Sequence, residues 1–131
     1  MRLLILLVML FGLTTATQAN DREPTQVIRA QIAAFQVNDL DKAFSFASAN
    51  IQNMFGSAKR FGLMVKSRYP MVWRPSHVGF GDFFRENGKQ VQTVFFTDKV
   101  GSVFEARYEM LETDSGWQID GVYVYQAGVA A

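Results

Sequence analysis

The apolar periodicity of this chain changes once, after Pro75, and that change constrains the fold more than any other feature. Before it, apolar residues recur at helical spacing; after it, they alternate. Val27, Ile28, Ile32 and Phe35 fall on one helical face behind Pro24, whose missing N–H is harmless in a first turn. Ala30, Ala33 and Ala34 add helical propensity. Asn38-Asp39 interrupts this helix, and Asp39 is placed to cap a second, shorter one bearing Leu40, Ala43, Phe44 and Ala47. Ser48-Ala49-Asn50 ends it. Ile51 to Phe55 is a short apolar stretch with no assigned state, stopped by Gly56-Ser57. Ser57 caps a third helix to about Ser67, with Phe61, Met64 and Val65 as its stripe. Tyr69-Pro70 closes it, because the residue before a proline resists the helical region.

Beyond Pro75, Val78, Phe80, Asp82 and Phe84 alternate with His77, Gly79, Gly81 and Phe83. Asn87-Gly88 is a hairpin turn, and Val91 to Phe96 reads as the second strand. After a turn at Asp98 to Gly101, Phe104, Ala106, Tyr108 and Met110 alternate with Glu105, Arg107 and Glu109, the pattern of a strand with one solvated face. Asp114-Ser115-Gly116 turns the chain into a last strand, Trp117 to Tyr125, with Gly121 as its bulge. Helices followed by strands define an α+β fold: three N-terminal helices packed on a curved four-stranded antiparallel sheet. Trp117, Phe104, Tyr108 and Met110 read first as core.

The first residues carry a separate message. Met1-Arg2 is a positive start, Leu3 to Leu13 is apolar apart from Gly12, and Thr17-Gln18-Ala19 has the small residues of a signal-peptidase site. The apolar run is about half of the ~20 residues that span a bilayer, so a permanent membrane anchor is not expected. The expected organisation is a signal peptide at 1–19, a lead-in at 20–26, one α+β domain at 27–125 and a flexible tail at 126–131. The protein is expected to be exported, periplasmic or secreted.

Arg2 leaves with the leader, so the mature chain has 12 basic and 12 acidic residues, against 13 and 12 for the whole. Near-neutrality argues against nucleic acid as a partner. The chain has no cysteine, which excludes disulfides and a lipid-modified cysteine. The charges are unevenly placed: from Lys42 to Gly81 there are six basic residues and no acid, and from Asp82 onward eight acids and four bases. The segments either neutralise one another on packing or leave a cationic rim for an anionic ligand.

Few residues carry chemistry. His77 is the single histidine, and no carboxylates stand at ligand spacing beside it, so neither a metal nor a cofactor is expected. Strict alternation carries Asp82 inward with Val78 and Phe80. A buried carboxylate there needs a bulge at Gly81 to turn it out, an arginine partner such as Arg74, or a pocket in which it works as a general acid or base. Asp82 is the candidate catalytic residue on that last ground. Arg74, held between Trp73 and Pro75, is either a clamp on the domain's own acids or carbonyls or a fork for an external carboxylate. Arg68, Tyr69, Arg74 and Tyr108 are the candidate ligand-binding residues.

Two stretches carry a family likeness. Asn38-Asp39-Leu40-Asp41-Lys42-Ala43 and Gly116-Trp117-Gln118-Ile119-Asp120-Gly121 resemble the opening and the final strand of the nuclear transport factor 2-like superfamily, which includes ketosteroid isomerase-like enzymes. Within it, Met54-Phe55-Gly56 and Tyr69-Pro70-Met71-Val72-Trp73-Arg74-Pro75 are similar to a family of exported bacterial domains of unknown function. The resemblance covers about Val27 to Tyr125 and implies a cone-shaped fold without implying an activity. Three functions follow as expectations: a non-catalytic domain binding a small molecule or protein, an isomerase, dehydratase or cyclase using a cone pocket, or a homodimer module using the outer sheet face. The leader yields the first test. N-terminal sequencing of the protein from its native compartment should begin near Asn20; a membrane-retained chain starting at Met1 would contradict cleavage.

Overall fold

A computed structural model describes residues 23–127. The expected leader at 1–19 and residues 128–131 of the expected tail lie outside the described residues. Five helices precede the sheet: α1 (Pro24–Gln36), α2 (Leu40–Ser45), α3 (Ala49–Phe55), α4 (Ala58–Arg68) and α5 (Pro70–Trp73). Four strands follow: β1 (His77–Glu86), β2 (Lys89–Thr97), β3 (Val103–Thr113) and β4 (Gly116–Gln126). The strands form an antiparallel meander in the order β1-β2-β3-β4.

The helix count differs from the expected three for local reasons. Ser48, read as the end of the second helix, is instead the N-cap of α3, accepting a hydrogen bond from Ile51 N at 3.3 Å. The unassigned stretch before Gly56 is thus helical, and Gly56 closes it at φ 78°, a left-handed conformation that glycine adopts without a steric penalty. Pro70 stops α4 but then supplies the first turn of α5, where its lack of an N–H is harmless. Asp39 and Ser57 cap α2 and α4 as expected, accepting from Lys42 N at 3.1 Å and Arg60 N at 3.2 Å. At Gly62 of α4 a Cβ would stand 2.5 Å from Leu40 Cδ2, so the Leu40 side chain packs in the space the glycine leaves open.

The core lies between the helices and one sheet face. Val27, Ile28, Ile32 and Phe35, the expected stripe of α1, are all buried, and so are Val94, Phe96, Ala106, Tyr108 and Met110 of β2 and β3. Trp73 is the buried tryptophan; Trp117, expected to fill the core, is only half-buried and meets Phe83 edge-on at 5.7 Å. The opposite sheet face is charged and partly paired. Lys89 Nζ bonds Glu109 Oε2 at 2.9 Å and Arg107 lies 3.5 Å from Glu86. The hydrogen bond and charge of Glu109 raise the Lys89 pKa.

Two bulges correct the expected alternation. Phe80 pairs with Val94 and Phe83 with Gln92, so Gly81 and Asp82 together face the single residue Thr93. Asp82 is therefore turned out and exposed, by the bulge that is the first of the three alternatives its alternation leaves open. Gln92, buried on the core face, supports the bulge: its Nε2 donates to Gly81 O and Thr93 O, both at 3.0 Å. The second bulge is in β4, where Gly121 pairs with Glu109 and Ile119 with Met110. The extra residue is Asp120, one position before the glycine expected to make it.

Arg74 is a clamp on carbonyls. Its Nη1 donates to Phe35 O at 2.7 Å and Trp73 O at 2.9 Å, and its Nη2 donates to Asn38 Oδ1 at 3.1 Å. The guanidinium also lies over the Trp73 ring at 4.8 Å. A cation at the C-terminal end of α1 complements the exposed carbonyl dipoles there. Asp82, the nearest acid in sequence, is not its partner. Because the partners are neutral, Arg74→Ala should cost about 2 kcal/mol in urea unfolding, the scale of lost hydrogen bonds to a charged group. A cost near zero would show that the clamp does not hold α1.

Candidate functional site

The chain is stitched to the last strand at one place. Phe46 O accepts from Ile119 N at 2.8 Å, and Ser48 N donates to Ile119 O at 2.8 Å, so Ala47 and Ile119 form a parallel bridge. At the adjacent bulge Ser48 Oγ donates to Asp120 Oδ1 at 2.6 Å, and Asn50 Nδ2 donates to the same oxygen at 3.4 Å. This seam fixes where α3 leaves the sheet.

A pocket of about 590 Å³ opens between α3, α4 and the sheet. That is within the ~300–1,000 Å³ range of small-molecule sites. Ile51, Met54 and Phe55 come from α3, and Phe61, Met64 and Val65 from α4. Tyr108, Ile119 and Val122 come from the sheet, and Gln31 and Phe35 from α1. Ala47, Val72, Gly121 and Tyr123 complete the lining with the polar groups of Arg68, Tyr69 and Asp120. A shallower hollow of about 290 Å³ lies beside Trp117 and Phe46.

Tyr108 is the unusual residue of this site. It is fully buried, and its hydroxyl has no hydrogen-bond partner; among the described residues only Arg107 Nε shares that condition among buried side-chain polar atoms. An orphan buried hydroxyl costs on the order of 1–3 kcal/mol. Burial pushes the phenol above its ordinary value of 10.0. Gln31, also buried, donates through Nε2 to Ala43 O at 3.1 Å, tying α1 to α2 beside the pocket.

Of the residues singled out in the sequence, the structure brings Arg68, Tyr69 and Tyr108 to this pocket. Arg74 is occupied by the end of α1 and does not line it. Asp82 stands exposed on the β1 bulge, also outside it, and His77 is exposed at the start of β1. The acid that does line the pocket is Asp120, whose Oδ1 is engaged by Ser48 and Asn50. Gln31 and Asp120 were missed. Gln31 had a signal, since it is the polar residue on the face shared by Ile28, Ile32 and Phe35. Asp120 had a weaker one, its place beside the glycine expected to bulge. Among the described residues no three histidine, cysteine or carboxylate side chains are grouped to hold a metal ion, and no helix is long and apolar enough to cross a membrane.

These features define an α+β domain whose helices cover one face of an antiparallel meander and leave an apolar pocket against it. The chain belongs to the family described as Domain of unknown function (DUF4864), whose model matches residues 17–130. No curated protein matches it.

The orphan hydroxyl has a pH signature. Folded Tyr108 keeps its proton where an unfolded tyrosine loses it. Its contribution is therefore whole below pH 10 and declines as pH rises above 10. Between pH 8 and pH 11 the parent should lose about 1.4 kcal/mol more stability than Tyr108→Phe, by urea unfolding at each pH. At pH 8 the variant should be at least as stable as the parent. A loss above about 1 kcal/mol at pH 8 would mean the hydroxyl is bonded after all.

Proposed function

We propose that this chain is an exported, non-catalytic domain that binds a small apolar ligand in the pocket between α3, α4 and the sheet. The observation that carries the reading is the pocket itself: about 590 Å³, walled mainly by aliphatic and aromatic side chains, with Tyr108, whose hydroxyl is unpartnered, among the lining residues. A well-formed apolar pocket with a few convergent polar groups is the usual form of a ligand site. Export rests on the Met1 to Ala19 pattern.

The resemblance to the nuclear transport factor 2-like superfamily supports the same reading. Helices preceding a curved antiparallel sheet would make the pocket the mouth of a cone. A catalytic use is less well supported. Asp82, the residue proposed as acid or base, stands outside the pocket, and Asp120 within it is tied into the seam by Ser48 and Asn50.

The test uses an uncharged fluorescent probe, N-phenyl-1-naphthylamine, titrated into the purified protein. Its emission should rise saturably with one site per chain. Met64→Trp, which adds bulk at a half-buried lining position, should weaken binding by about tenfold while far-ultraviolet circular dichroism stays that of the parent. No saturable rise, or equal binding by the variant, would remove the pocket as a ligand site.

A further inference from the structure

The charges around the pocket are asymmetric, and the asymmetry bears on the chemical class of the ligand. Arg68, in the last turn of α4, lines the pocket and is exposed. Unlike that of Arg74, its side chain makes no hydrogen bond or ion pair with any described residue. Tyr69 follows it in the lining. The same helix carries Lys59, Arg60 and Lys66, all exposed, and no acid. No acid occurs between Lys42 and Gly81, and among the described residues no acid stands within ion-pair distance of Arg68.

The opposite wall offers one acid, Asp120, and the seam uses it: Ser48 Oγ and Asn50 Nδ2 both donate to its Oδ1. Those donors are neutral and leave Asp120 its charge, but they fix its Oδ1 in the seam, whereas the positive charge at the α4 side, on Arg68, has no such partner. Next to it lie Met64, Val65 and Phe61, an apolar wall suited to a hydrocarbon chain. A guanidinium presents paired donors that match the oxygens of a carboxylate or phosphate.

We propose that the pocket takes a single-chain amphiphile with an anionic head group, its chain along the apolar wall and its head at Arg68. This rests on the pocket reading above and adds the sign of the ligand. A planar carboxylate and a phosphate monoester share the chemistry that Arg68 recognises, and the experiment separates them.

N-phenyl-1-naphthylamine bound to the full-length protein is displaced with decanoate, decyl phosphate, decanol and decyltrimethylammonium. At least one of the two anions should displace the probe at about fivefold lower concentration than decanol, the scale of a charge-assisted contact at a partly exposed site. Which anion leads identifies the head group. In Arg68→Gln the ratio of anion to decanol should fall to about one, with folding checked by circular dichroism. Decanol matching both anions, the ammonium displacing best, or an anion advantage that survives Arg68→Gln would each overturn the inference while leaving the pocket reading intact. Absence of probe binding together with no heat from decanoate in calorimetry would overturn both.

Discussion

The seam between Phe46–Ser48 and Ile119–Asp120 is the constraint on which the helical half depends. β4 is the last strand of the sheet, and the backbone groups on its outer edge have no neighbouring strand. Such an edge is a template for unwanted pairing unless something covers it. Here two backbone hydrogen bonds at 2.8 Å bring the chain between α2 and α3 alongside β4, and Ser48 Oγ closes on Asp120 at the bulge. Ser48 also caps α3, so one side chain sets both the anchor and the direction of the helix that lines the pocket. The bulge serves this contact, because an extra residue turns the Asp120 side chain away from the register of the ladder.

Above that anchor one ring touches three of the other helices. Phe61 of α4 lies 5.9 Å from Phe35 of α1, 5.3 Å from Phe44 of α2 and 5.6 Å from Phe55 of α3. Aromatic contacts of this kind add about 0.5–1.5 kcal/mol each beyond their area. The four helices are thereby packed as a unit, so the space against Tyr108 is not filled by collapse of one helix onto the sheet. The hydroxyl of Tyr108 belongs to the same economy of space: a phenylalanine would pack as well and avoid an unpaired polar atom. The cost of retaining it is a local stability loss at a residue that lines the pocket.

The parts of this arrangement legible in the sequence are those set by local periodicity and turn chemistry. The stripe Val27, Ile28, Ile32 and Phe35, the caps Asp39 and Ser57, and the Asn87-Gly88 turn are all nearest-neighbour properties, and they place the helices before the sheet. The misreadings have a common cause in contacts between distant residues. Ser48 reads locally as a helix end, but it caps the next helix through Ile51 N and is held there by Asp120, 72 residues away. Strict alternation sends Asp82 inward, but Gln92 across the hairpin stabilises the bulge that turns it out. Trp117 is the more obvious core candidate by its strand pattern, yet Trp73, in a short turn of helix after a proline, is the one the core encloses. Arg68, Tyr69 and Tyr108 could be named from sequence, but their convergence on one pocket required the sheet to be in place.

The span between Ser48 and Asp120 also dictates an order of events during folding. As the chain is made from its N-terminus, all five helices emerge before the residue that anchors α3. Closing so long a loop is entropically costly, and the contact can form only once β4 exists. Until then the helices have an aromatic cluster but no sheet to cover, and the amphipathic face of α1 lacks its main partner. Completion of the pocket therefore coincides with completion of β4, so that a nascent form has no finished cavity.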